Sequence, residues 1–359
     1  MARTPRAGAV DLEITGIENA ILDLLVRVDD RHLDEMGLDK GIMKLVSADE
    51  QNAILDHVLN RDGEVLQPEI EAGGSCANVL RAASRLGVET SYGSAVANDD
   101  TGRLFEHGLE ASRVRNRLAH IDGVTGTSVV LVTPDGERTM NTHLGVCRQY
   151  RAEHVPEDDI RRSSIFFTTG YIWDTPNQID AIEHAIKVAR EAGARLAIDL
   201  ADPFAVGRSR DHLLRHKEHG FDILFANAEE ARMMTGLEPE AATRELSETI
   251  EVVAVKDGVR GAWVRRGEEV HHVPAHPVEV VDTTGAGDCF AAGFLYGLLR
   301  ELPIRTCCEI GIAMAADTIT HLGVKLSPDI RERLTAIGHQ GQREKPTATA
   351  NRPMTAGNP

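Results

Sequence analysis

A Gly-Ala-Gly-Asp run at residues 285–288 stands directly before an apolar helical pattern. Phe290, Phe294 and Leu298 recur at helical spacing, which predicts a helix that packs on a sheet. The first turn of such a helix has unpaired N–H groups and the positive end of the helix dipole, and glycines let an anion approach them closely. The run therefore predicts an anion hole, and Asp288 beside it could accept a proton from a hydroxyl that attacks a phosphoryl group.

Asp288 could be a helix cap or a catalytic group, and a lone aspartate at a helix start is more often a cap. The neighbouring residues decide between these two interpretations. Residues 282–293 read D-T-T-G-A-G-D-C-F-A-A-G. This stretch resembles the second signature of the PfkB family of carbohydrate and nucleoside kinases, D-[TP]-T-G-A-G-D-x-F-x-x-G, at every specified position. The resemblance implies that Asp288 is the general base and that the anion hole is formed by Gly285, Ala286 and Gly287.

An Asn-x-x-x-Asp element, Asn19 and Asp23, lies at the end of the first predicted strand. A single aspartate there would by default be solvated, but in this family it accepts hydrogen bonds from vicinal sugar hydroxyls. The first family signature has the form Gly-Gly-x-x-x-Asn, although two glycines alone more often mark an ordinary turn. It is met by Gly73, Gly74 and Asn78. The resemblance implies that these five residues form the sugar-binding site.

Four further positions bear on the acceptor site. Arg138 follows a Pro-Asp-Gly turn and would usually be solvated, but the family has an arginine in a similar lid element that points at substrate or phosphate. Tyr171 or Trp173 could stack on a purine or lie in the core. Glu18 stands where the family usually has the second glycine of Gly-x-Gly-Asn, so it could alter or narrow the pocket.

The nucleotide site must be built without the common phosphate loops, since the sequence contains no G-x-x-x-x-G-K-[ST] and no G-x-G-x-x-G after a first strand. Asn227 and Glu230 follow a predicted strand and alone would read as a helix cap. They match a family N-x-x-E motif, which implies ATP and Mg²⁺ as cofactors, with the metal held through water. A monovalent cation such as K⁺ stays open. The resemblance also assigns nucleotide contacts to Lys256, Gly258, Gly261, Thr283, His321 and Gly323.

Several elements must position these residues. From residue 160 onward, predicted strands and helices alternate, which indicates a parallel sheet with right-handed crossovers. Polar residues follow each predicted strand, and parallel strand ends share one edge, so these residues should converge. An alternating run at residues 278–281 predicts one more strand before the glycine run.

The fold implied by the resemblance is ribokinase-like α/β, a three-layer α/β/α domain with a mostly parallel central sheet and a small β-sheet lid. We expect the kinase domain over residues 12–335. Strands without crossover helices predict a discontinuous lid over about 24–47 and 120–146. Flexible tails are expected at 1–11 and 338–359, the latter rich in Gly, Pro, Thr and Asn.

Composition narrows the classes of function. A chain of 359 residues can bury a large core, and its net charge of −17 argues against a nucleic-acid groove. The cysteine count is odd, without C-x-x-C spacing, which fits a reducing cytoplasm. No leader pattern or membrane-spanning apolar run is present in the sequence, so we expect no membrane partner. The expected partner is a small-molecule substrate, and monomer and homodimer both stay open.

Three functions are compatible with these motifs. The chain resembles the bacterial adenosine kinase branch most in its Asn-Ala-Ile-Leu-Asp opening, its lid sequence VLVTPDGERTMNTHLG and its Gly-Tyr-Ile-Trp-Asp segment. This implies transfer of the ATP γ-phosphoryl to the 5′-hydroxyl of a ribonucleoside, adenosine above all. A sugar kinase of the ribokinase or fructokinase type is the alternative. A catalytically silent nucleotide- or sugar-binding regulator is the third interpretation.

Overall fold

The computed structural model describes residues 11–61, 64–65, 67–217 and 220–343. The strands in these ranges are, in chain order, β1 (Leu12–Ile17), β2 (Ile21–Arg27), β3 (Met43–Leu45), β4 (Asn60–Arg61), β5 (Glu64–Val65), β6 (Glu69–Ala72), β7 (Thr90–Val96), β8 (Arg115–His120), β9 (Gly126–Val132), β10 (Arg138–His143), β11 (Ser163–Thr169), β12 (Arg195–Asp199), β13 (Ile223–Asn227), β14 (Val252–Lys256), β15 (Ala262–Arg266) and β16 (Glu269–Val273). The α-helices are α1 (Asp30–Met36), α2 (Ala48–Leu59), α3 (Ser75–Arg85), α4 (Asp100–Ala111), α5 (Glu157–Arg162), α6 (Pro176–Glu191), α7 (Pro203–Lys217), α8 (Ala228–Thr235), α9 (Pro239–Leu246), α10 (Ala286–Leu299), α11 (Ile304–Thr318) and α12 (Ile330–Arg343).

The larger sheet is mostly parallel, as the alternation of strands and helices predicts. Its strand order is β16-β15-β14-β13-β12-β11-β1-β7-β8, and the strands from β14 to β8 in that order pair in parallel. The last two strands in sequence, β15 and β16, are antiparallel additions at one edge. The carboxyl ends of the parallel strands therefore share one edge of the sheet, where ligand sites form in open α/β folds.

Helices cover both faces of this sheet. Along β11, the buried side chains of Ile165 and Phe167 join one apolar cluster, which includes residues of α3, α10 and α11. Phe166, between them in sequence, joins the other cluster with residues of α6 and α8. Successive strand residues point to opposite faces of the sheet. A strand that is buried on both faces therefore needs consecutive apolar residues, such as those at 165–167. The arrangement confirms the expected ribokinase-like α/β/α fold.

A second sheet of five strands, in the order β3-β10-β9-β2-β6, forms the lid. One face packs against α1 and α2, where Leu33 and Val58 meet Val129 and Leu131 of β9. The lid is wider than the sequence indicates, since β6 is its edge strand and β2 enters it at Ile21. The sequence of β6, Glu-Ile-Glu-Ala, is short and charged, so it does not predict a strand. Its residues are exposed or half-buried, as such a sequence requires.

Two local predictions are wrong. Residues 278–281 form no strand in the described structure, and Val280 and Val281 are more than half exposed, because no neighbouring strand pairs with them. The predicted tail from residue 338 is helical up to the end of α12, since Ile330 and Leu334 anchor that helix in the core. Residues 1–10 and 344–359 lie outside the described residues. Asp11 is described and pairs with Arg162.

The described helices include none that is long and apolar enough to cross a membrane. All five cysteines are buried free thiols, in agreement with a framework that does not depend on disulfides.

Candidate active site

The lid and the carboxyl edge of the large sheet enclose a cavity of about 440 Å³. It brings together residues that are up to 270 positions apart in sequence, from Glu18 to Asp288. The predicted site residues that line it are Asn19, Asp23, Gly74, Asn78, Arg138, Tyr171, Asn227, Glu230, Lys256, Gly258, Thr283, Gly285, Ala286, Gly287 and Asp288.

Asp288 lies in the first turn of α10, facing this cavity. Its two carboxylate oxygens accept hydrogen bonds from the start of α3: Oδ1 from the Ser75 hydroxyl at 2.6 Å and Oδ2 from the Asn78 amide at 2.9 Å. The capping interpretation does not apply, since the residue before α10 is Gly285 and no side chain caps that helix. Two fixed donors leave the carboxylate oriented toward the cavity and able to accept a further proton.

Electrostatics make Asp288 a better base than a solvated aspartate. Burial raises the pKa of Asp288, and the nearby Asp199 carboxylate adds to this effect. Hydrogen bonds from Ser75 and Asn78 and the charge of Lys256 oppose the shift and favour the ionised form. A carboxylate with a raised pKa that stays ionised is suited to take a proton from an alcohol in the transition state.

The loop before α10 carries the residues that are predicted to form an anion hole. Gly285 has a φ of 66°, in the left-handed region, and a Cβ there would lie 2.5 Å from a methyl group of Val324. The N–H groups of Gly287 and Asp288 make no hydrogen bond to other described residues, as expected for the first turn of a helix. A Cβ on Gly287 would lie 3.0 Å from Nζ of Lys256, so a charged ammonium borders the same space.

Lys256 is the main cation at this edge of the cavity. Its Nζ donates to Oδ2 of Asp199 at 2.6 Å, and the Asp199 side chain is 2% exposed. Burial alone would lower the pKa of Lys256, but the carboxylates of Asp199 and Glu230 outweigh it and raise that pKa. The ammonium is therefore held charged beside the anion hole, where it can pair with a phosphate.

Asn227 and Glu230 form a capping box at the start of α8. The Glu230 N–H donates to Oδ1 of Asn227 at 2.8 Å, and the Asn227 N–H donates to Oε2 of Glu230 at 2.7 Å. Both residues nevertheless line the cavity. Burial raises the pKa of Glu230 to about 8, against the opposing charge of Lys256. The described residues contain no group of three or more His, Cys, Asp or Glu side chains placed to hold a metal ion.

The sugar-site candidates meet at the hinge between the two sheets. Asp23 in β2 is packed against Gly73, where a Cβ would lie 2.3 Å from its carboxylate. Burial raises the pKa of Asp23 to about 7, while Arg138 on the lid opposes the shift. The Nε of Arg138 and the Oδ1 of Asn78 are buried without a hydrogen-bond partner among the described residues. Buried polar atoms without partners indicate that a ligand completes the site.

Asn19 links the loops around this pocket. Its side chain donates to the carbonyl of Tyr171 at 3.3 Å and accepts from Nε2 of Gln178 at 2.6 Å. Tyr171 is half-buried and lines the cavity, whereas Trp173 is 2% exposed and packs in the core near Phe221. Of the two aromatic candidates, the structure brings only Tyr171 to the site.

Four predicted site residues do not line the cavity. Gly73 packs against the Asp23 carboxylate, and the Gly323 N–H donates to Oδ2 of Asp282 at 2.8 Å. Both residues therefore contact other site residues and do not line the cavity. Gly261 has its φ at 103° and a backbone too close to Pro274 for any side chain. His321 lines a different cavity.

Sequence reasoning missed several residues that line the site. Ser75 lies within the Gly-Gly-x-x-x-Asn motif at an unspecified position, and Asp199 is a single carboxylate at the end of β12, without a motif around it. An apolar wall on the lid was also missed, because residues with hydrophobic side chains in strands look like core residues in a sequence. Its members are Ile21, Met43, Leu45, Met140 and Leu144.

Glu18, the departure from the family glycine, is almost completely buried at 3% exposure and lines the cavity. Its Oε2 accepts a hydrogen bond from the Cys76 N–H at 2.5 Å, at the start of α3. Burial raises the pKa of Glu18 from 4.5 to about 8, and the charges of Asp288 and Asp23 add to the shift. The side chain thus lines the same cavity as Asp23 and Asp288 and is close enough to feel both charges.

The Glu18 pKa predicts how stability depends on pH. Between pH 4.5 and about 8, the folded protein binds more protons at Glu18 than the unfolded chain does. The free energy of unfolding therefore falls as pH rises through this window. Glu18→Gln removes this contribution and should flatten the decline, measured by urea unfolding at several pH values within it. Equal slopes for the variant and the wild type would contradict this prediction.

Comparisons with known proteins agree with this geometry. The pattern of the pfkB family carbohydrate kinases matches residues 43–331. A probable sugar kinase from Rhizobium etli has 30% identity and a TM-score of 0.86, covering 92% of this chain and 99% of its own. Adenosine kinase from Sinorhizobium meliloti has 33% identity and a TM-score of 0.84, covering 90% and 99%. An ATP-dependent ribose-1-phosphate kinase from Halopiger xanaduensis is 31% identical over 285 residues, 76% of this chain and 90% of its own. The chain therefore belongs to the pfkB family of carbohydrate kinases.

Proposed function

We propose that this kinase transfers the γ-phosphoryl group of ATP to the 5′-hydroxyl of a ribonucleoside, with adenosine as the preferred acceptor. The observation that carries the choice of a nucleoside is the apolar wall on the lid, on the same sheet face as Asp23. A free sugar offers hydroxyl groups on every side, so a wall of this kind would leave some of them without hydrogen bonds. A purine has apolar faces that such a wall can cover.

The wall is built by neighbouring lid strands in register. Met43 of β3 pairs with Met140 of β10, and Leu45 pairs with Thr142, so side chains of matched positions share the face toward the cavity. Asp23 pairs with Ser128 of β9, which also lines the cavity. Methionine adapts its shape to flat rings, and its sulfur makes favourable contacts with aromatic groups. The wall and the sugar site thus lie on one sheet face, as a nucleoside requires.

The residues then have distinct roles in the transfer. Asp23 accepts hydrogen bonds from the vicinal ribose hydroxyls, and Asn78 completes that contact through its unpartnered Oδ1. Asp288 accepts the proton of the 5′-hydroxyl as that oxygen attacks the γ-phosphorus. The N–H groups of Gly287 and Asp288 stabilise the negative charge on the transferred group, with Lys256 beside them.

The proposed cofactors are ATP and Mg²⁺. The side-chain amide of Asn227 donates a hydrogen bond to the Glu230 carboxylate, and the described residues provide no direct ligand set for a metal. This donor set fits a hydrated Mg²⁺ held through water and through the nucleotide phosphates, a binding mode that this ion favours. Bound there, Mg²⁺ would neutralise phosphate charge. A cation bound nearby would lower the raised pKa of Glu230 and favour its ionised form, which is the form that accepts hydrogen bonds from metal-bound water.

The lid positions one further cation. Arg138 at the start of β10 faces Asp23 and lines the cavity with an unpartnered Nε. When the lid closes over the acceptor, Arg138 would approach the reacting phosphate and the lid strands would exclude water from the transfer.

An acceptor panel tests the proposal. ADP release with ATP and Mg²⁺ is measured for adenosine, inosine, guanosine, cytidine, ribose and ribose 1-phosphate, in wild type, Asp23→Asn and Met140→Ser. We expect wild type to favour adenosine, Asp23→Asn to lose activity with every acceptor, and Met140→Ser to lose activity with adenosine far more than with ribose. A Met140→Ser effect that is equal for all acceptors would contradict the proposed purine contact.

A sugar kinase is the second candidate, supported by Arg138 and by the Halopiger relative, whose name specifies ribose 1-phosphate. A guanidinium whose Nε has no hydrogen-bond partner among the described residues is suited to bind an anionic substituent on a sugar. In the panel, preference for ribose 1-phosphate would favour this candidate and keep the role of Asp288. Binding of ligands without ADP release from any acceptor would instead support a regulator without catalytic activity.

A further inference from the structure

A second cavity, of about 420 Å³, lies between α3, the residue that follows α4 and the loop that follows α11. Its polar lining is basic: Arg81 and Arg85 from α3, and His321 and Lys325 from the loop. Ser112 adds a hydroxyl. No aspartate or glutamate lines this cavity in the part of the chain that the structure describes. We call the side chains of Arg81, Arg85, His321 and Lys325 the basic cluster.

The basic cluster is unusual in a chain with 39 Lys and Arg against 56 Asp and Glu. Arg81 and Arg85 are one helical turn apart, a spacing at which like charges repel. Burial lowers the pKa of Arg81, and the charge of Arg85 lowers it further, while Glu71 opposes both effects. Holding these cations together therefore costs stability in the ligand-free protein, and a bound anion would relieve that cost.

Neutral acceptors hold the two guanidinium groups in place. Nη1 of Arg81 donates to the Ala72 carbonyl at 2.6 Å, and its Nε donates to the Ser112 hydroxyl at 3.2 Å. Nη2 of Arg85 reaches the Leu326 carbonyl only at 3.5 Å. Carbonyl and hydroxyl oxygens orient a guanidinium without neutralising its charge. The arginines are thus fixed in position and keep their positive charge toward the cavity.

Among the described residues, the ion pair of this cluster is that of Lys325 with Glu71, at 3.6 Å. This distance is too long for a hydrogen bond, and the Lys325 side chain is 60% exposed. Such a pair is weak and exchanges easily, so Lys325 can turn to an anion in the cavity. The carboxylates of Glu71 and Asp23 act on Arg81, and the three positive charges of Arg81, Arg85 and Lys325 exceed them.

We propose that this cavity is a binding site for a phosphate group, separate from the active site. Guanidinium groups present a planar fork of donors that matches phosphate oxygens, and ammonium and hydroxyl groups supply the remaining donors. Free phosphate and the phosphate monoester of a mononucleotide both present oxygens that such donors can bind.

The position of this site links it to the catalytic centre. The same helix, α3, carries Ser75 and Asn78, which hold Asp288. The same loop carries Gly323, whose N–H holds the Asp282 carboxylate ahead of the anion hole. A phosphate bound between α3 and the loop would tie together two elements that position the active site. The proposal does not depend on which acceptor the kinase uses.

Isothermal titration calorimetry of the full chain with inorganic phosphate tests the site. The variant Arg85→Gln/Lys325→Gln removes two charges from the cavity and leaves the hydrogen bonds of Arg81 in place. A matched control, Arg244→Gln/Arg232→Gln, removes two charges from exposed arginines that form ion pairs far from this cavity in sequence. We expect at least a tenfold loss of phosphate affinity in the cavity variant and unchanged affinity in the control. AMP, titrated in the same way, distinguishes a nucleotide monoester from free phosphate.

Three outcomes would overturn the proposal. Absence of phosphate and AMP binding to the wild type would show that the cavity takes neither. Equal affinity in the wild type and the cavity variant would place the bound phosphate elsewhere, for example in the anion hole beside Lys256. Equal loss in both variants would show a general effect of net charge. Circular dichroism of both variants ensures that lost binding does not reflect lost folding.

Discussion

Asp288→Asn should lower kcat by about 10²–10⁴ with the preferred acceptor, because the variant can no longer take the proton from the attacking hydroxyl. ATP binding should change little, since the N–H groups of Gly287 and Asp288 belong to the backbone. The measurement is steady-state ADP release, together with ATP affinity from calorimetry. Turnover that stays within a factor of ten of wild type would remove Asp288 from the role of base.

Ser75→Ala provides the matched control for this variant. It deletes the donor to Oδ1 of Asp288 but leaves the carboxylate and the Asn78 contact in place. Its effect on kcat should therefore be much smaller than that of Asp288→Asn. Stability separates the two roles further: burial raises the pKa of Asp288, so its charge costs folding energy and Asp288→Asn should not lower the melting temperature. A large loss of stability would indicate a structural role.

Local patterns in the sequence were sufficient to predict the parallel sheet and the loop at its edge. The bounds of β13 and α8 match the predicted junction at Asn227, because an apolar run followed by Asn and Glu is an unambiguous strand end and helix start. The position of Asp288 could be predicted for a similar reason, since its neighbours indicate both a glycine turn and a helix start. These features depend on residues close together in the chain.

Features that depend on distant residues could not be predicted in this way. The pairing of Lys256 with Asp199 joins two strand ends, and neither residue shows its partner in the sequence. The lid wall needs the register of β3 against β10, which places Met43 beside Met140. The run at residues 278–281 alternates as a strand does, but strand formation requires a neighbour, and none is present there in the described structure.

Lys256→Met should have the second large effect, on stability as well as on activity. It would leave the Asp199 carboxylate, 2% exposed, without the ammonium that lies 2.6 Å away. Breaking a buried pair from one side costs about 3–5 kcal/mol, because an uncompensated charge stays in the interior. Loss of a cation beside the anion hole should also lower kcat by about 10²–10³. Urea unfolding and ADP release measure the two effects on the same preparation.

The double variant Lys256→Met/Asp199→Asn separates these effects. It removes both charges, while an amide oxygen at position 199 can still accept the hydrogen bond that the Ala201 N–H donates to Asp199 at 3.1 Å. Stability should return most of the way to wild type, since no unpaired charge stays buried. Activity should not recover, because the anion hole still lacks its cation. Recovery of both would mean that Lys256 serves only to neutralise Asp199, and the phosphate would then be held by the backbone N–H groups of α10 alone.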